Sequence, residues 1–405
     1  MEKTNSLTKS ELKKASGLLL AISIIFVAAN LRAPITSVGP LVSYIRESTG
    51  ISNSVAGLLT TVPLLAFTFM SPFAPQLARR YGVERVILTA LIVIGIGTLC
   101  RTLSSSAALF GGTVLIGLSI AVCNVLIPSL VKRDFSGKIG LMTGVYSVSM
   151  NFCGALASGI SVPLARDAGL GWQGALSCWL ILTALGILFW LPRMRHSRLT
   201  NAEQAQVNTA TPVVKPWRSP LAWQVTLFMG LQSFIFYNLV AWLPEILNSR
   251  GMSDDSAGWM LSLIQFSMLP FTFVIPIIAS RMQSQRLLVI ITTLLYVIGI
   301  GGLMLDGNHL VPLWSVLIGI AGAGSFSLAM LFFTLRTRTT HAAAQLSGMA
   351  QSVGYLLAAV GPLVFGMIHD VTGHWTVSIA MLIAASFLIF MFGMGAARNR
   401  YVGDV

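Results

Sequence analysis

Charged side chains are scarce in this chain. They make up 10% of its residues, whereas soluble domains average about 25%. Acidic residues are the scarcest, with 13 Asp and Glu against 26 Lys and Arg. With 55% hydrophobic residues and a mean hydropathy of +0.80, the 405-residue chain has too little polar surface to face water as a globule. This composition excludes a soluble enzyme or binding domain and indicates a protein of the lipid bilayer.

Cysteine is also rare, and its positions carry no metal or redox spacing. Cys100, Cys123, Cys153 and Cys178 fall inside apolar segments without a CxxC pair, so they predict small packing residues. No metal and no cofactor is expected. Asp, Glu and His are missing from the middle of the apolar segments, which removes the groups that hydrolysis would need. The sequence therefore predicts that the protein is not an enzyme.

Long apolar runs predict twelve transmembrane helices, because roughly 20 apolar residues cross a bilayer. The runs begin near Leu18, Val55, Val86, Ala107, Ile139, Trp172, Leu221, Ser256, Leu287, Val311, Ala344 and Trp375. The predicted fold class is an all-α polytopic membrane protein. Its predicted domains are a six-helix bundle at 1–192, a flexible cytoplasmic linker at 193–219 and a second six-helix bundle at 220–405.

The two halves repeat each other at an offset that drifts by only three residues. Helices of equal rank then cross the membrane in the same direction, so the halves form a parallel repeat around a central site. The matching pairs are Gly57 and Gly258, Arg80 and Arg281, and Arg85 and Arg286 at 201 positions, Ser147 and Gln351 at 204, and Trp172 and Trp375 at 203.

The basic residues predict the orientation. If the N-terminus is cytoplasmic, the internal segments hold 21 of the 26 Lys and Arg residues. The external loops hold only Arg46, Arg101, Arg166 and Arg250, and Arg32 lies within the first span. This asymmetry follows the positive-inside rule. It predicts cytoplasmic termini in a bacterial inner membrane, and it explains the net charge of +13 without a nucleic-acid partner.

Arg32 is the one ionisable residue deep in a predicted span, and Asn30 lies beside it. It follows Leu18 by about 20 Å of helix, past the middle of a hydrocarbon core roughly 30 Å thick. A guanidinium at this depth offers fixed donors to a planar anion or another electron-rich group. It is therefore the main candidate for substrate contact. The alternative is a structural role, in which Arg32 clamps backbone carbonyls before Pro34.

Further polar residues inside apolar helices are candidates for the same cavity. Two pairs are spaced i, i+4 and so share a helix face: Ser147 with Asn151, and Gln351 with Tyr355. The weaker candidates are Asn124, Gln232, Tyr237, Trp242 and Gln265. Hydrogen bonds between helices are the alternative role for the polar residues. An anchor at the membrane interface is the alternative for the tryptophan.

The segment from Pro75 to Arg85 resembles, in altered form, the loop signature of major facilitator transporters. Arg80, Gly82 and Arg85 fit the signature, whereas Arg79 replaces its Asp. In that family the loop braces the cytoplasmic helix ends and biases conformation, and here the repeat adds Arg281 and Arg286. A solvated basic loop is the alternative. Asp134, at a helix end, is a possible group for proton coupling.

Several strings resemble one branch of the major facilitator superfamily, the cyanate and 2-nitroimidazole transporter family. They are NLRAPITSVGP from Asn30, TTVPLLAF from Thr60, VKRDF from Val131, GWQGAL from Gly171, WRSPLAWQVTLF from Trp217 and SGMAQSVGYLLAA from Ser347. The last two are most similar to the 2-nitroimidazole exporter branch.

The resemblance implies the major facilitator fold and a secondary transporter that works by alternating access. Its implied activity is export of 2-nitroimidazole-like compounds, and the alternative is uptake of cyanate or another small anion. Protons are a possible coupling partner, and a monomer is expected. A channel or a membrane receptor is the alternative from another class. The parallel repeat disfavours a channel, and the lack of a cytoplasmic signalling domain disfavours a receptor.

Overall fold

The computed structural model describes residues 17–103, 105–207, 216–305 and 307–404, and its regular elements there are helices. The helices are residues 17–30 (α1), Ala33–Thr36 (α2), Val42–Thr49 (α3), Asn53–Met70 (α4), Ala74–Tyr81 (α5), Val83–Arg101 (α6), Ser106–Asp134 (α7), Ile139–Arg166 (α8), Gly171–Ser177 (α9), Trp179–Val207 (α10), Pro220–Asn248 (α11), Asp254–Arg281 (α12), Arg286–Gly302 (α13), Val311–Leu335 (α14), Thr340–Thr372 (α15) and Trp375–Ala396 (α16).

Apolar length accounts for the spans. Within the described part of the chain, ten helical segments are long and apolar enough to cross a bilayer. The second predicted span is occupied by a pair of helices, Leu58–Met70 and Ala74–Tyr81, with a bend of 57° between them. The ninth predicted span is occupied by the shorter apolar helix Arg286–Gly302. These elements occupy the twelve predicted positions and confirm an all-α polytopic membrane protein, because a helix satisfies its own backbone in lipid.

The first compact unit comprises Met1–Leu59, Leu77–Cys123 and Ser149–Pro212. One of its apolar clusters holds Leu41, Ile45, Trp172 and Leu176. Leu41 precedes α3, Ile45 lies in α3, and Trp172 and Leu176 lie in α9, so apolar contacts join both short helices. Deeper in the unit, α6 packs against α10.

The second compact unit comprises Thr60–Gln76, Asn124–Val148 and Val213–Val405. In it α11 packs against α15 and α16, and α14 packs against α12 and α13. The unit also contains parts of α4, α5, α7 and α8. The two compact units therefore do not coincide with the two halves of the sequence. The six-plus-six division stays a prediction from the repeat.

The linker predicted at 193–219 differs from the structure at its start. Helix α10 continues from Trp179 through Val207 without a break, although a flexible strap was expected from Arg193 onward. Inside the expected linker, only residues 208–215 lie outside the described part of the chain. The run Asn-Ala-Glu-Gln-Ala-Gln at 201–206 explains the difference, because Ala, Glu and Gln are strong helix formers even where no apolar face is present.

Arg101 was predicted in an external loop, and the structure corrects this placement. It is the last residue of α6 and is 1% exposed. Gly112 on α7 makes room for its stem, since a Cβ at Gly112 would lie 2.7 Å from Arg101 Cγ. The hydropathy pattern marks the end of the apolar run correctly but contains no sign of the small residue on the neighbouring helix.

Close approach between α12 and α14 depends on Gly319. A Cβ at this position would collide with the hydroxyl of Ser267 and the backbone carbonyl of Ile264. Small residues at crossings are how membrane helices reach close contact. We expect Gly319→Ala to cost about 1–3 kcal/mol by overpacking, and so to lower the thermal unfolding midpoint of the detergent-solubilised protein.

The matched control for Gly319→Ala is Gly301→Ala on α13. A Cβ there meets nothing within 4 Å, and alanine is the better helix former by roughly 0.5–1 kcal/mol. The control is expected to leave the midpoint unchanged or to raise it. Equal midpoints for the two variants would show that α12 and α14 do not depend on the missing side chain.

Candidate functional site

The first span is interrupted at the predicted anchor. Helix α1 ends at Asn30, residues 31 and 32 form a turn, and α2 begins at Ala33 with Pro34 in its first turn. Proline has no backbone N–H to donate, so a helix break before it is expected. The break frees Arg32 from a regular helical position near the middle of the span Gly17–Thr49.

From this break the Arg32 side chain reaches α8. Its Nη1 donates to Asn151 Oδ1, so two predicted site residues separated by 119 positions are in contact. Gly154 lies beside them, because a Cβ there would lie only 3.0 Å from Arg32 Cγ. Thr36 closes the arrangement with a hydrogen bond to the Gly154 carbonyl at 2.8 Å. The result is a half-buried guanidinium positioned by a side-chain amide inside the first unit.

Asn30 has a different environment from Arg32. It is fully buried, and its Nδ2 donates to the carbonyls of Phe26 at 2.8 Å and Leu182 at 3.0 Å. Its Oδ1 accepts from Thr183 at 2.7 Å. One amide hydrogen stays within α1, while the other hydrogen and the oxygen tie α1 to α10. The role of Asn30 in substrate contact stays a prediction.

A second polar cluster, in the second unit, connects α7, α8 and α15. Gln351 Nε2 donates to the backbone carbonyl of Asn124 at 3.0 Å and to Ser347 Oγ at 2.8 Å. Asn124 Oδ1 accepts from Tyr146 at 3.1 Å. Gln351 and Ser147 are both completely buried. The structure thus brings the predicted residues Asn124 and Gln351 together.

Both residues lie well inside their helices. Gln351 follows Thr340, the first residue of α15, by about 16 Å of helix, and Asn124 precedes the end of α7 by about 15 Å. Tyr355, one turn beyond Gln351, forms an aromatic pair with Phe67 at 4.8 Å between ring centroids. The cluster therefore combines fixed amides with an aromatic pair inside these helices.

The structure gives other contacts for the remaining candidates on α11 and α12. Gln232 donates locally to Ser233 at 2.7 Å, and Tyr237 packs edge-to-face on Phe236. Trp242 donates to the Pro362 carbonyl at 2.9 Å, which ties α11 to α15. Gln265 is half-buried on α12. The role of all four in substrate contact stays a prediction.

The predicted conformational loops are largely exposed. Arg80, Arg85, Arg281 and Arg286 are exposed side chains at helix ends. Gly82 has a φ of +86°, and the chain enters α6 directly after it. Because L-residues rarely adopt this conformation, the loop signature requires glycine here.

Sequence reasoning missed the buried polar residues beside these loops. Arg336, 2% exposed, donates to Gln285 Oε1 and to the carbonyls of Ala396 at 2.7 Å and Ala397 at 3.2 Å. Gln285 Nε2 in turn donates to the carbonyls of Ala279 and Met282, each at 3.0 Å. The ends of α12 and α16 are thereby capped from one place. Burial lowers the pKa of Arg336 to about 10, so it stays charged at neutral pH.

Lys132 on α7 makes the same kind of contact with α14. Its Nζ donates to the carbonyls of Thr334, at 2.6 Å, and Thr337. The last carbonyls of a helix lack partners within the helix and carry partial negative charge, which a cation stabilises. We call Lys132, Gln285 and Arg336 the capping cluster. Lys132 and Arg336 are 204 positions apart, as are Ser147 and Gln351.

Asp134, the predicted coupling group, is paired within its own turn. Its Oδ1 lies 2.7 Å from Arg133 Nε, and its Oδ2 accepts from Arg133 Nη2 at 3.2 Å. The two side chains are 13% and 15% exposed. A role in proton coupling stays a prediction for this residue.

Comparison with known proteins agrees with the helical membrane fold. The sequence profile of the Major Facilitator Superfamily matches residues 18–362. The uncharacterized transporter YycB of Bacillus subtilis (strain 168) is 46% identical over 391 residues, 96% of each chain. The 2-nitroimidazole transporter of Escherichia coli (strain K12) is 40% identical over 385 residues, 95% of this chain and 97% of that one.

A more distant relative and a solved structure complete the comparison. The cyanate transport protein CynX of Escherichia coli (strain K12) is 26% identical over 357 residues, 88% of this chain and 91% of that one. The proton:xylose symporter XylE superposes with a TM-score of 0.73 at 15% identity, over 96% of this chain and 98% of that one. At that identity the structural match concerns the fold alone.

Proposed function

This chain belongs to the Major Facilitator Superfamily, and from that premise we propose that it exports 2-nitroimidazole-like compounds by alternating access. The observation that carries the substrate class is the 40% identity, over nearly the full length of both chains, to the 2-nitroimidazole transporter. Membership of the superfamily makes the chain a multi-pass membrane transporter of small solutes. The cargo and the outward direction are the proposed part.

The two polar clusters support a small planar cargo. Arg32, held by Asn151, supplies N–H donors in one plane, which suits the paired oxygens of a nitro group. Gln351 and Tyr355 supply an amide and an aromatic ring on one face of α15.

Uptake of a small anion such as cyanate is the second candidate function. Arg32 favours it, because a cation at depth is a ready counter-charge for an anion in a low-dielectric site. The cyanate relative, however, is 26% identical, against 40% for the 2-nitroimidazole relative. We therefore rank nitroimidazole export first. Competition between the two solutes in a flux experiment distinguishes the two functions.

In the proposed mechanism the two six-helix halves rock about the substrate and expose it to one side of the inner membrane at a time. Both termini are cytoplasmic in this scheme, although residues 1–16 lie outside the described part of the chain. The capping cluster would hold the cytoplasmic helix ends in one of the two states. Protons are the proposed driving ion for a monomeric carrier, and Asp134 is the candidate group for coupling.

The deciding experiment is flux of labelled 2-nitroimidazole in proteoliposomes that contain the purified chain, under an imposed pH gradient and with cyanate as competitor. Gradient-driven, saturable accumulation that cyanate does not inhibit is the result expected for a proton-linked nitroimidazole exporter. Saturable cyanate counterflow without nitroimidazole flux would move the protein to the small-anion permeases. Flux that fails to saturate would point to a channel.

A further inference from the structure

We propose that Gln351 selects the cargo by accepting a hydrogen bond from a ring N–H, so that the preferred solutes are five-membered azoles that carry one. This inference rests on the proposed function and narrows its substrate class. It assigns to the amide oxygen of Gln351 a role that its donor contacts leave open.

The orientation of the Gln351 amide is fixed by its partners. Its Nε2 lies 3.0 Å from the backbone carbonyl of Asn124 and 2.8 Å from Ser347 Oγ. A carbonyl oxygen only accepts, so the atom that faces Asn124 must be the amide nitrogen. Both hydrogens of that nitrogen are therefore used, and Oε1 points away from these two partners.

The other half of the amide has no partner. Gln351 Oε1 is buried, and among the described residues no donor reaches it. Two nearby hydroxyl groups donate elsewhere: Tyr146 donates to Asn124 Oδ1, and Ser352 donates to the Thr68 carbonyl at 2.7 Å. A buried acceptor without a donor destabilises the state that contains it. A ligand that brings a donor removes this cost and is bound more tightly for that reason.

A ring N–H is the donor that the surroundings favour. Tyr355 lies one turn from Gln351 on the same helix face, and its ring pairs with Phe67. Aromatic rings at this distance offer a flat apolar surface to a planar heterocycle. The cyanate ion carries no hydrogen to donate, and a nitro group alone offers only acceptors. A neutral azole meets both requirements.

The position of Gln351 also explains how a completely buried oxygen is reached. Its bond to Asn124 joins α15 of the second half to α7 of the first half. In the proposed mechanism, rocking of the halves opens the space around the amide, while Ser347, which lies on α15 itself, still accepts from Nε2 and keeps Oε1 directed away from it. Contact with the cargo is therefore confined to part of the transport cycle, which is where binding energy accelerates the conformational step.

The test compares pairs of nitroheterocycles that differ in the ring N–H, as competitors of labelled 2-nitroimidazole counterflow in proteoliposomes. 2-Nitropyrrole keeps the N–H, 2-nitrofuran lacks it without added bulk, and 1-methyl-2-nitroimidazole replaces it. For the wild-type chain we expect the two compounds without N–H to compete roughly tenfold or more weakly, because the buried amide oxygen then stays without a donor.

Gln351→Met removes the acceptor at similar volume and is expected to bring the pyrrole-to-furan ratio close to one. Ser352→Ala, which deletes the neighbouring bond to Thr68, is the matched control and should keep the wild-type ratio. Equal competition by all three analogues in the wild-type chain would overturn the inference while leaving nitroimidazole transport intact. A wild-type chain that carries no nitroimidazole would overturn the proposed function itself.

Discussion

Replacing Arg32 by Gln is expected to lower the initial rate of solute flux at least about 100-fold while membrane insertion stays normal. A charge-assisted hydrogen bond contributes about 1.5–3 kcal/mol, and the planar guanidinium supplies two of them to one nitro or carboxylate-like group. Arg32→Lys keeps the charge but loses the planar fork, so an intermediate rate is expected. The measurement is counterflow in proteoliposomes at matched protein content.

Arg166→Gln is the matched control for Arg32→Gln. Arg166 closes α8, the helix that also carries Asn151, and its side chain is 74% exposed with Asp167 as partner at 3.3 Å. An exposed ion pair of this kind contributes little, so wild-type flux is expected. If Arg32→Gln transports as well as this control does, Arg32 has no anchor role, and its contact with Asn151 is a helix–helix tether.

The positions of the spans could be predicted from the sequence because hydropathy is a local property. Each predicted start lies within about four residues of an observed helix start, from residue 17 to Trp375. A run of about 20 apolar residues has one stable arrangement in lipid, whatever its neighbours are. The break at Arg32 was also signalled locally, by Pro34.

The contacts of the candidate site could be predicted only in part. Polar residues such as Asn124 and Gln351 stand out because hydrocarbon makes them costly, and the structure places both well inside their helices. Their pairing was not predictable, since partners 227 positions apart meet only through helix packing. The same limit explains Asn30. Its amide accepts from Thr183 and donates to the Leu182 carbonyl, and both partners lie far away in the sequence.

Residues at helix ends were the least predictable class. Arg101 and Arg336 resemble loop arginines in the sequence, yet both are at most 2% exposed. Lys132 was counted only as an orientation signal. What decides these cases is whether a neighbouring helix presents a small residue, as Gly112 does for Arg101, or free carbonyls, as α14 does for Lys132. Neither feature belongs to the segment that carries the charge.

Lys132→Met is expected to weaken the contact between α7 and α14 and to shift the protein toward the state in which these helix ends are apart. The Lys132 ammonium donates to the Thr334 and Thr337 carbonyls. Loss of its interaction with the helix end should cost about 1–2 kcal/mol, which changes the population of the two states roughly 5- to 30-fold. Lys132→Arg keeps charge and donors and should retain most of the wild-type population.

The shift can be measured without any substrate. Thr337, 1% exposed, is replaced by Cys in a chain whose four native cysteines are removed, and labelling by a membrane-impermeant maleimide is followed in inside-out vesicles. Labelling of the Lys132→Met protein is expected to be several-fold faster. Lys138→Met, which removes an exposed lysine six positions further along, should leave the rate unchanged. Equal rates in all three proteins would mean that Lys132 stabilises α14 in both states alike and therefore does not bias the transport cycle.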